Sequence, residues 1–191
     1  MDELIIDLLL TNVNRLQVIQ CSGMSLHLLR DSMTEVTDIV KVLFLCLGNI
    51  CRSPMAEAVF RQMVKERGLE EQIEIDSAGL GGWHIGERPH QGTLKILTKN
   101  GIPHETIHSR QIQQSDIQNF DYIVAMDEEN LQGLKKFGVK PGSKVFRLLD
   151  LVEEKKDKDV PDPYYRGNFD DVYDLVRLGC ERLLEKLARD L

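Results

Sequence analysis

The sequence predicts an α/β fold of three layers, in which an open four-stranded parallel sheet carries helices on both faces. The run Val42-Leu43-Phe44-Leu45-Cys46 has the composition of a strand that is buried on both sides. Similar short strand patterns alternate along the chain with longer segments of helical periodicity, as in parallel sheets. The length of 191 residues, with 42% apolar residues, suits one domain with a proper core.

The elements follow one another in a regular order. The predicted strands are Val42–Cys46, Ile73–Ser77, Tyr122–Met126 and Val145–Leu148. The predicted helices lie between and after them, over residues 54–67, 90–99, 128–136 and 169–190. Ligands of such sheets bind beyond the carboxyl ends of the strands. We therefore expect chemistry just after Cys46, Ser77 or Met126.

Residues 1–40 differ in pattern from the rest and are interpreted as an N-terminal extension, either helical or disordered. Residues 41–191 are predicted to form the domain. The N-terminus is acidic where a signal peptide would be basic, and no apolar run approaches the roughly 18 residues of a membrane span. We therefore expect a cytoplasmic protein without a membrane partner, and we expect a monomer.

Charge and cysteine content narrow the possible partners. The formal net charge of −7 disfavours nucleic acid and anionic membranes, since both favour a basic face. The cysteines have no zinc-ligand spacing and favour thiols in a reducing compartment; they are Cys21, Cys46, Cys51 and Cys180. The sequence therefore predicts neither a metal nor another cofactor.

The segment that follows the first strand has the features of an anion-binding loop. It runs from Cys46 to Pro54, where a predicted helix begins with Ser53 as its N-cap. Gly48 permits unusual backbone angles, and Asn49 tolerates the left-handed region. A loop of this length that ends at a helix N-terminus can turn its N–H groups inward and hold a phosphate dianion.

The same loop predicts phosphoryl-transfer chemistry. Its positive potential favours a thiolate on Cys46, and Arg52 supplies a planar fork that can hold two phosphate oxygens. A thiolate below a bound phosphate is a nucleophile for phosphoryl transfer. The predicted phosphate-binding loop consists of Leu47, Gly48, Asn49, Ile50, Cys51, Arg52 and Ser53.

At these residues the sequence resembles the low-molecular-weight protein tyrosine phosphatases. The matching motifs lie at residues 42–58, 76–79, 121–127 and 162–165, within a resemblance that covers residues 41–191. It implies hydrolysis of phosphotyrosine monoesters through a phosphocysteine intermediate, with phosphotyrosine-containing proteins as partners and no metal. It also implies that Asp162 is the general acid, although a Pro-Asp-Pro segment is by itself usually a turn.

The resemblance assigns supporting roles as well. Asn49, Ser53 and Ser77 would hold the loop and donate to the thiolate, and His108 would support Asn49. Asp127 matches an aspartate near the acid loop, but it is also a natural N-cap for the helix at residue 128.

A redox role is implied for the second cysteine of the loop. In the family, the cysteine at the position of Cys51 forms a reversible disulfide with the nucleophile and protects it from over-oxidation. The alternative is that Cys51 is a small packing residue. Cys180 falls on the apolar face of the last predicted helix and is expected to be inert.

Three aromatic residues are candidates for the walls of a phenyl-binding slot: Trp83, Tyr164 and Tyr165. Protein-arginine phosphatases on the same scaffold carry threonine where this chain has Ile50, so that alternative is less favoured. Arsenate reductases need further cysteines downstream, and only Cys180 follows Cys51. A silent phosphate- or phosphotyrosine-binding module would need loss of the nucleophile, the arginine or the acid.

Overall fold

The computed structural model describes residues 39–139, 144–155 and 159–191, so the prediction for the extension lies outside them, apart from residues 39 and 40. Within the described part, four parallel strands form one sheet in the order β2-β1-β3-β4. The strands are β1 (Val40–Cys46), β2 (Ile73–Gly79), β3 (Tyr122–Ala125) and β4 (Lys144–Arg147). The predicted parallel sheet is confirmed.

The predicted helices are present, with small shifts at their ends. They are α1 (Arg52–Glu66), α2 (Gln91–Lys99), α4 (Glu128–Leu134) and α6 (Phe169–Asp190). Two more helices, α3 (Asp116–Asn119) and α5 (Pro163–Arg166), were not predicted. Each has four residues, which is too short for a periodic pattern to appear in the sequence.

Alternate side chains of β1 pack into separate cores on opposite faces of the sheet. Val42 and Phe44 belong to the core that includes residues of α1, α2 and α6. Leu43 and Leu45 belong to the other core, with Ile117 of α3 among its members. Because both faces of the central strand are covered, the three-layer arrangement is confirmed.

The start of α1 differs from the prediction. Cys51 occupies the N-cap position and the helix begins at Arg52, so Ser53 and Pro54 are its second and third residues. The prediction of Ser53 as the N-cap is therefore wrong, because its hydroxyl lies beside Cys46 Sγ instead. Pro54 is tolerated there because the first N–H groups of a helix have no acceptor within it.

No helix in the part of the chain that the structure describes is both long and apolar enough to span a membrane.

Candidate active site

The loop between β1 and α1 packs closely on the end of β2. Cys46 is the last residue of β1, and its partner in the sheet register is Gly79. A Cβ atom at Gly79 would lie 3.0 Å from both the Asn49 nitrogen and the Gly48 carbonyl carbon. The loop can therefore approach β2 this closely only because residue 79 is glycine.

Asn49, rather than Gly48, takes the unusual backbone conformation. Its φ of 55° is the one positive value among the non-glycine residues that the structure describes. Asparagine tolerates this region better than most residues. Gly48 does not have a positive φ, and a Cβ atom there would make only ordinary contact with the His84 ring, 3.4 Å away.

Two donors surround the candidate nucleophile. The Asn49 N–H donates to Cys46 Sγ at 3.2 Å, and Ser53 Oγ lies 3.0 Å from the same sulfur. Cys46 is buried, so these groups take the place of water around the sulfur. Donors at these positions stabilise a thiolate.

A buried chain of hydrogen bonds sets the direction in which Ser53 donates. Asn49 Nδ2 donates to Ser53 Oγ at 2.9 Å and to Ser77 Oγ at 2.8 Å. Ser77 Oγ then donates to Glu57 Oε2 at 2.6 Å, because an ionised carboxylate can only accept. The single hydrogen of the Ser53 hydroxyl remains for Cys46 Sγ, which is nearer than its other acceptor, the Ala78 carbonyl at 3.4 Å.

Glu57 belongs to this series of hydrogen bonds, and it was not predicted from the sequence. It lies on the buried side of α1 and is only 5% exposed. Burial raises the pKa of Glu57, although hydrogen bonds from Ser77 and Arg61 oppose that shift. The sequence alone gave no signal for it, because a glutamate within a helix is usually exposed.

Glu57→Gln is expected to change how the stability of the protein depends on pH. Because the pKa of Glu57 is raised in the fold above its ordinary value of 4.5, the native protein loses stability relative to the variant as pH rises above that value. Urea unfolding of both proteins between about pH 4 and pH 7.5 measures the difference.

The matched control is Glu66→Gln, which removes an exposed carboxylate from the same helix. It should leave the pH dependence of the unfolding free energy unchanged, because no buried charge is lost. If the unfolding free energy of the native protein minus that of Glu57→Gln stays constant or increases with pH, the proposed cost of burying this carboxylate is contradicted.

Arg52 is held between two carboxylates and a carbonyl. Its Nη1 donates to Asp127 Oδ2 at 2.5 Å and to the Val160 carbonyl at 3.1 Å. Its Nη2 donates to Asp162 Oδ2 at 2.8 Å. Its Nε is buried and has no acceptor among the described residues. A buried donor of this kind suits an anion in the loop, such as a phosphate oxygen.

The two aspartates that hold Arg52 also cap helices. Asp162 Oδ1 accepts from the Tyr164 N–H at 3.0 Å at the start of α5, and its side chain is about one third exposed. Asp127 Oδ1 accepts from the Asn130 N–H at 2.6 Å at the start of α4. The predicted N-cap role of Asp127 is confirmed, and the same side chain also orients Arg52.

A cavity of about 310 Å³ opens above Cys46. All three predicted aromatic side chains stand at it, and they are exposed by 71% at Trp83, 52% at Tyr164 and 85% at Tyr165. Trp83 is therefore not a core residue. The cavity is lined by Cys46, Leu47, Gly48, Ile50, Cys51, Arg52, Trp83, His84, Asp162, Tyr164 and Tyr165.

Comparison with known proteins identifies the family. The model of the low molecular weight phosphotyrosine protein phosphatases matches residues 41–191. The chain belongs to this family. The low molecular weight protein-tyrosine-phosphatase YfkJ of Bacillus subtilis is 52% identical over 153 residues, which are 80% of this chain and 98% of that protein. PtpA of Staphylococcus aureus strain MRSA252 is 45% identical over 152 residues, with 80% and 96% covered.

Solved structures agree with this assignment to the low molecular weight phosphatases. The crystal structure of YfkJ has a TM-score of 0.78, with 80% of this chain and 97% of that chain covered at 51% identity. A Drosophila arginine phosphatase has a TM-score of 0.71 at 35% identity, with 78% and 98% covered. Proteins with this fold are therefore named both as tyrosine phosphatases and as arginine phosphatases.

The prediction that His108 supports Asn49 in this phosphatase is wrong. His108 is exposed and its ring pairs with the Thr106 carbonyl, 3.1 Å away. Asn49 Oδ1 instead accepts from the Arg110 N–H at 2.8 Å. The reason is the orientation of the backbone here, because the preceding residue, Ile107, is the one that packs into the core.

Cys51 differs from the nucleophile in its surroundings. Burial, followed by the charges of Cys46 and Asp162, raises its pKa to about 12. At neutral pH Cys51 is therefore a neutral thiol, and it does not compete with Cys46 as the attacking group. Its redox role in the phosphatase stays a prediction. Cys180 is fully buried in the core, where burial raises its pKa, as expected for an inert thiol. Cys21 lies outside the described residues.

Proposed function

We propose that the protein is a metal-independent protein-tyrosine phosphatase that hydrolyses phosphotyrosine monoesters through a phosphocysteine on Cys46. The observation that carries the proposal is one cavity that is lined by Cys46, Arg52 and Asp162 together. Curated relatives that are 45% and 52% identical carry the name protein-tyrosine-phosphatase.

In the first step, the Cys46 thiolate attacks the phosphorus of the bound monoester. The S–P bond forms while the bond between phosphorus and the phenolic oxygen breaks. Backbone N–H groups of residues 47–53 and the free Nε of Arg52 stabilise the charge that spreads over the phosphate oxygens. Asp162 gives its proton to the departing phenolate.

In the second step, the Asp162 carboxylate removes a proton from water, which attacks the phosphocysteine. The S–P bond breaks, inorganic phosphate leaves and the Cys46 thiolate is restored. In the structure Asp162 Oδ2 accepts from Arg52 Nη2. A phosphate dianion in the loop would compete for the same guanidinium and leave Asp162 free to exchange protons with the substrate.

The walls of the cavity support an aromatic substrate. Trp83, Tyr164 and Tyr165 can flank a phenyl ring, and such walls would favour phosphotyrosine over the shorter phosphoserine, which has no ring to place between them. Ile50 also lines the cavity and is apolar where arginine phosphatases carry threonine. These features favour phosphotyrosine over phosphoarginine.

The cellular location, the oligomeric state and the partners belong to the same proposal. The family implies phosphoproteins as substrates, and we propose that the enzyme acts on them as a cytoplasmic monomer. Its formal net charge of −7 supports the absence of a nucleic-acid or membrane partner.

A panel of matched peptides tests the function. The native protein, assayed in EDTA, is expected to hydrolyse a phosphotyrosine peptide at least about tenfold faster than phosphoarginine or phosphoserine peptides, as a shape-matched site allows. Ile50→Thr should raise the relative rate on phosphoarginine. A native preference for phosphoarginine would replace the proposal with the arginine-phosphatase alternative. Binding of phosphotyrosine without phosphate release would indicate a silent binding module.

A further inference from the structure

A second cavity adjoins the catalytic one. It has a volume of about 790 Å³ and lies between the segment of residues 80–83 and helix α4. Leu47 and Trp83 line both cavities. We call this second cavity the flanking groove; Leu80, Gly133 and Phe137 also line it.

Exposed apolar side chains are concentrated around these two cavities. The described residues include seven exposed large hydrophobic side chains, and two of them, Ile39 and Leu191, lie at the ends of the described chain. The other five lie at the cavities or in the segment that carries Trp83, and they are Leu47, Trp83, Ile85, Tyr164 and Tyr165. Clustering of this kind is typical of an interaction surface rather than of scattered surface residues.

A glycine within a helix makes room for a side chain that lines the flanking groove. A Cβ atom on Gly133 of α4 would lie 2.4 Å from Leu80 Cδ1, so any side chain there would force Leu80 to move. Glycine is disfavoured inside helices relative to alanine. Its presence at this position therefore fits a requirement for space rather than for helix stability.

Three charged side chains line the flanking groove, two acids and one base: Glu128, Glu129 and Lys136. Glu129 is exposed and has no hydrogen bond or ion pair with any other described residue. The adjacent Glu128, in contrast, already accepts from Gln132 and lies near Arg147. Glu129 is thus free to meet a basic side chain that approaches along the groove.

We infer that the flanking groove receives the substrate polypeptide beside the phosphotyrosine and selects an apolar side chain accompanied by lysine or arginine. The inference rests on the proposed function. A substrate seated on Cys46 emerges between the walls of the catalytic cavity, and two of those walls, Leu47 and Trp83, begin the groove. An extended peptide advances only about 3.3 Å per residue, so the residues next to phosphotyrosine enter it.

Matched phosphotyrosine peptides test the inference. One set carries leucine and lysine beside the phosphotyrosine, the other serine and glutamate, and each is made with these residues on the N-terminal or the C-terminal side. When the varied residues are on one of the two sides of the phosphotyrosine, kcat/KM should favour the leucine–lysine peptide by about tenfold, which is the effect of burying one apolar side chain. Each kcat/KM is divided by the kcat/KM of the same protein for p-nitrophenyl phosphate, which is too small to reach the groove.

Two variants test which residues of the groove cause the peptide preference. Gly133→Leu fills the groove and should lower the preference to about threefold, the part that the exposed charge of Glu129 contributes. A third peptide, with leucine and glutamate beside the phosphotyrosine, tests the charge: Glu129→Lys should favour it over the leucine–lysine peptide by about threefold, as expected for one exposed charge pair. The matched control is Glu70→Lys, the same charge reversal on an exposed residue that precedes β2, whereas the groove lies beyond the other end of that strand. It should keep the native preference.

The outcomes separate this inference from the proposed function. Equal kcat/KM for all peptides would overturn the inference and leave the phosphatase intact, whereas no hydrolysis of any peptide would overturn the function. Light scattering tests whether a second copy of the protein occupies the groove instead. A dimer that Gly133→Leu dissociates, together with equal hydrolysis of all peptides, would identify a second copy as the occupant and overturn the inference. If Gly133→Leu does not fold, Glu129→Lys decides alone.

Discussion

Cys46→Ser is expected to lower turnover of p-nitrophenyl phosphate by at least about 10⁴-fold, as loss of a nucleophile does in other covalent enzymes. A serine hydroxyl is not ionised at neutral pH, and the donors from Asn49 and Ser53 are arranged around a sulfur. Cys51 cannot replace it, because burial raises the pKa of that thiol to about 12.

Phosphate binding should survive in the same variant. The backbone of the loop and Arg52 are unchanged, so inorganic phosphate should still raise the melting temperature of the folded protein. Cys180→Ser makes the same atomic change in the core, away from the cavity, and is expected to retain activity. Turnover that persists in Cys46→Ser, or that EDTA abolishes in the native protein, would contradict the mechanism.

The parts of the site that the sequence could predict are those encoded locally. The strand, loop and helix around Cys46 follow from a short apolar run, a turn-forming segment and a proline near a helix start. These features determine the backbone within a few residues. Asp162 was predicted through the family resemblance, because a Pro-Asp-Pro segment by itself indicates only a turn. Its 2.8 Å contact with Arg52, however, joins residues 110 positions apart and is visible only in the folded chain.

The errors arose where tertiary contacts override local preference. Ser53 has the residue type of an N-cap, but its hydroxyl is used by Cys46 and Asn49. His108 has the right chemistry to support Asn49, yet a one-residue difference in register turns it outward and leaves the Arg110 N–H as the donor. Glu57 reads as an ordinary helix residue until the sheet covers it.

Asp162→Asn is expected to reduce kcat/KM for a phosphotyrosine peptide by about 10²–10⁴-fold, the usual contribution of a general acid. Asparagine keeps the size of the side chain, and its oxygen can still cap α5 by accepting from the Tyr164 N–H. It has no acidic proton to give. Tyrosine ionises near pH 10, so its phenolate is a poor leaving group without that proton.

The leaving group distinguishes proton donation from positioning. p-Nitrophenolate leaves readily without a proton, so Asp162→Asn should slow p-nitrophenyl phosphate much less than the phosphotyrosine peptide. Asp127→Asn is the matched control, because it alters the other carboxylate on Arg52. It should slow both substrates by similar factors, since it acts through the orientation of Arg52. An equal loss on both substrates for Asp162→Asn would place the proton donor elsewhere and leave Asp162 with the positioning role of Asp127.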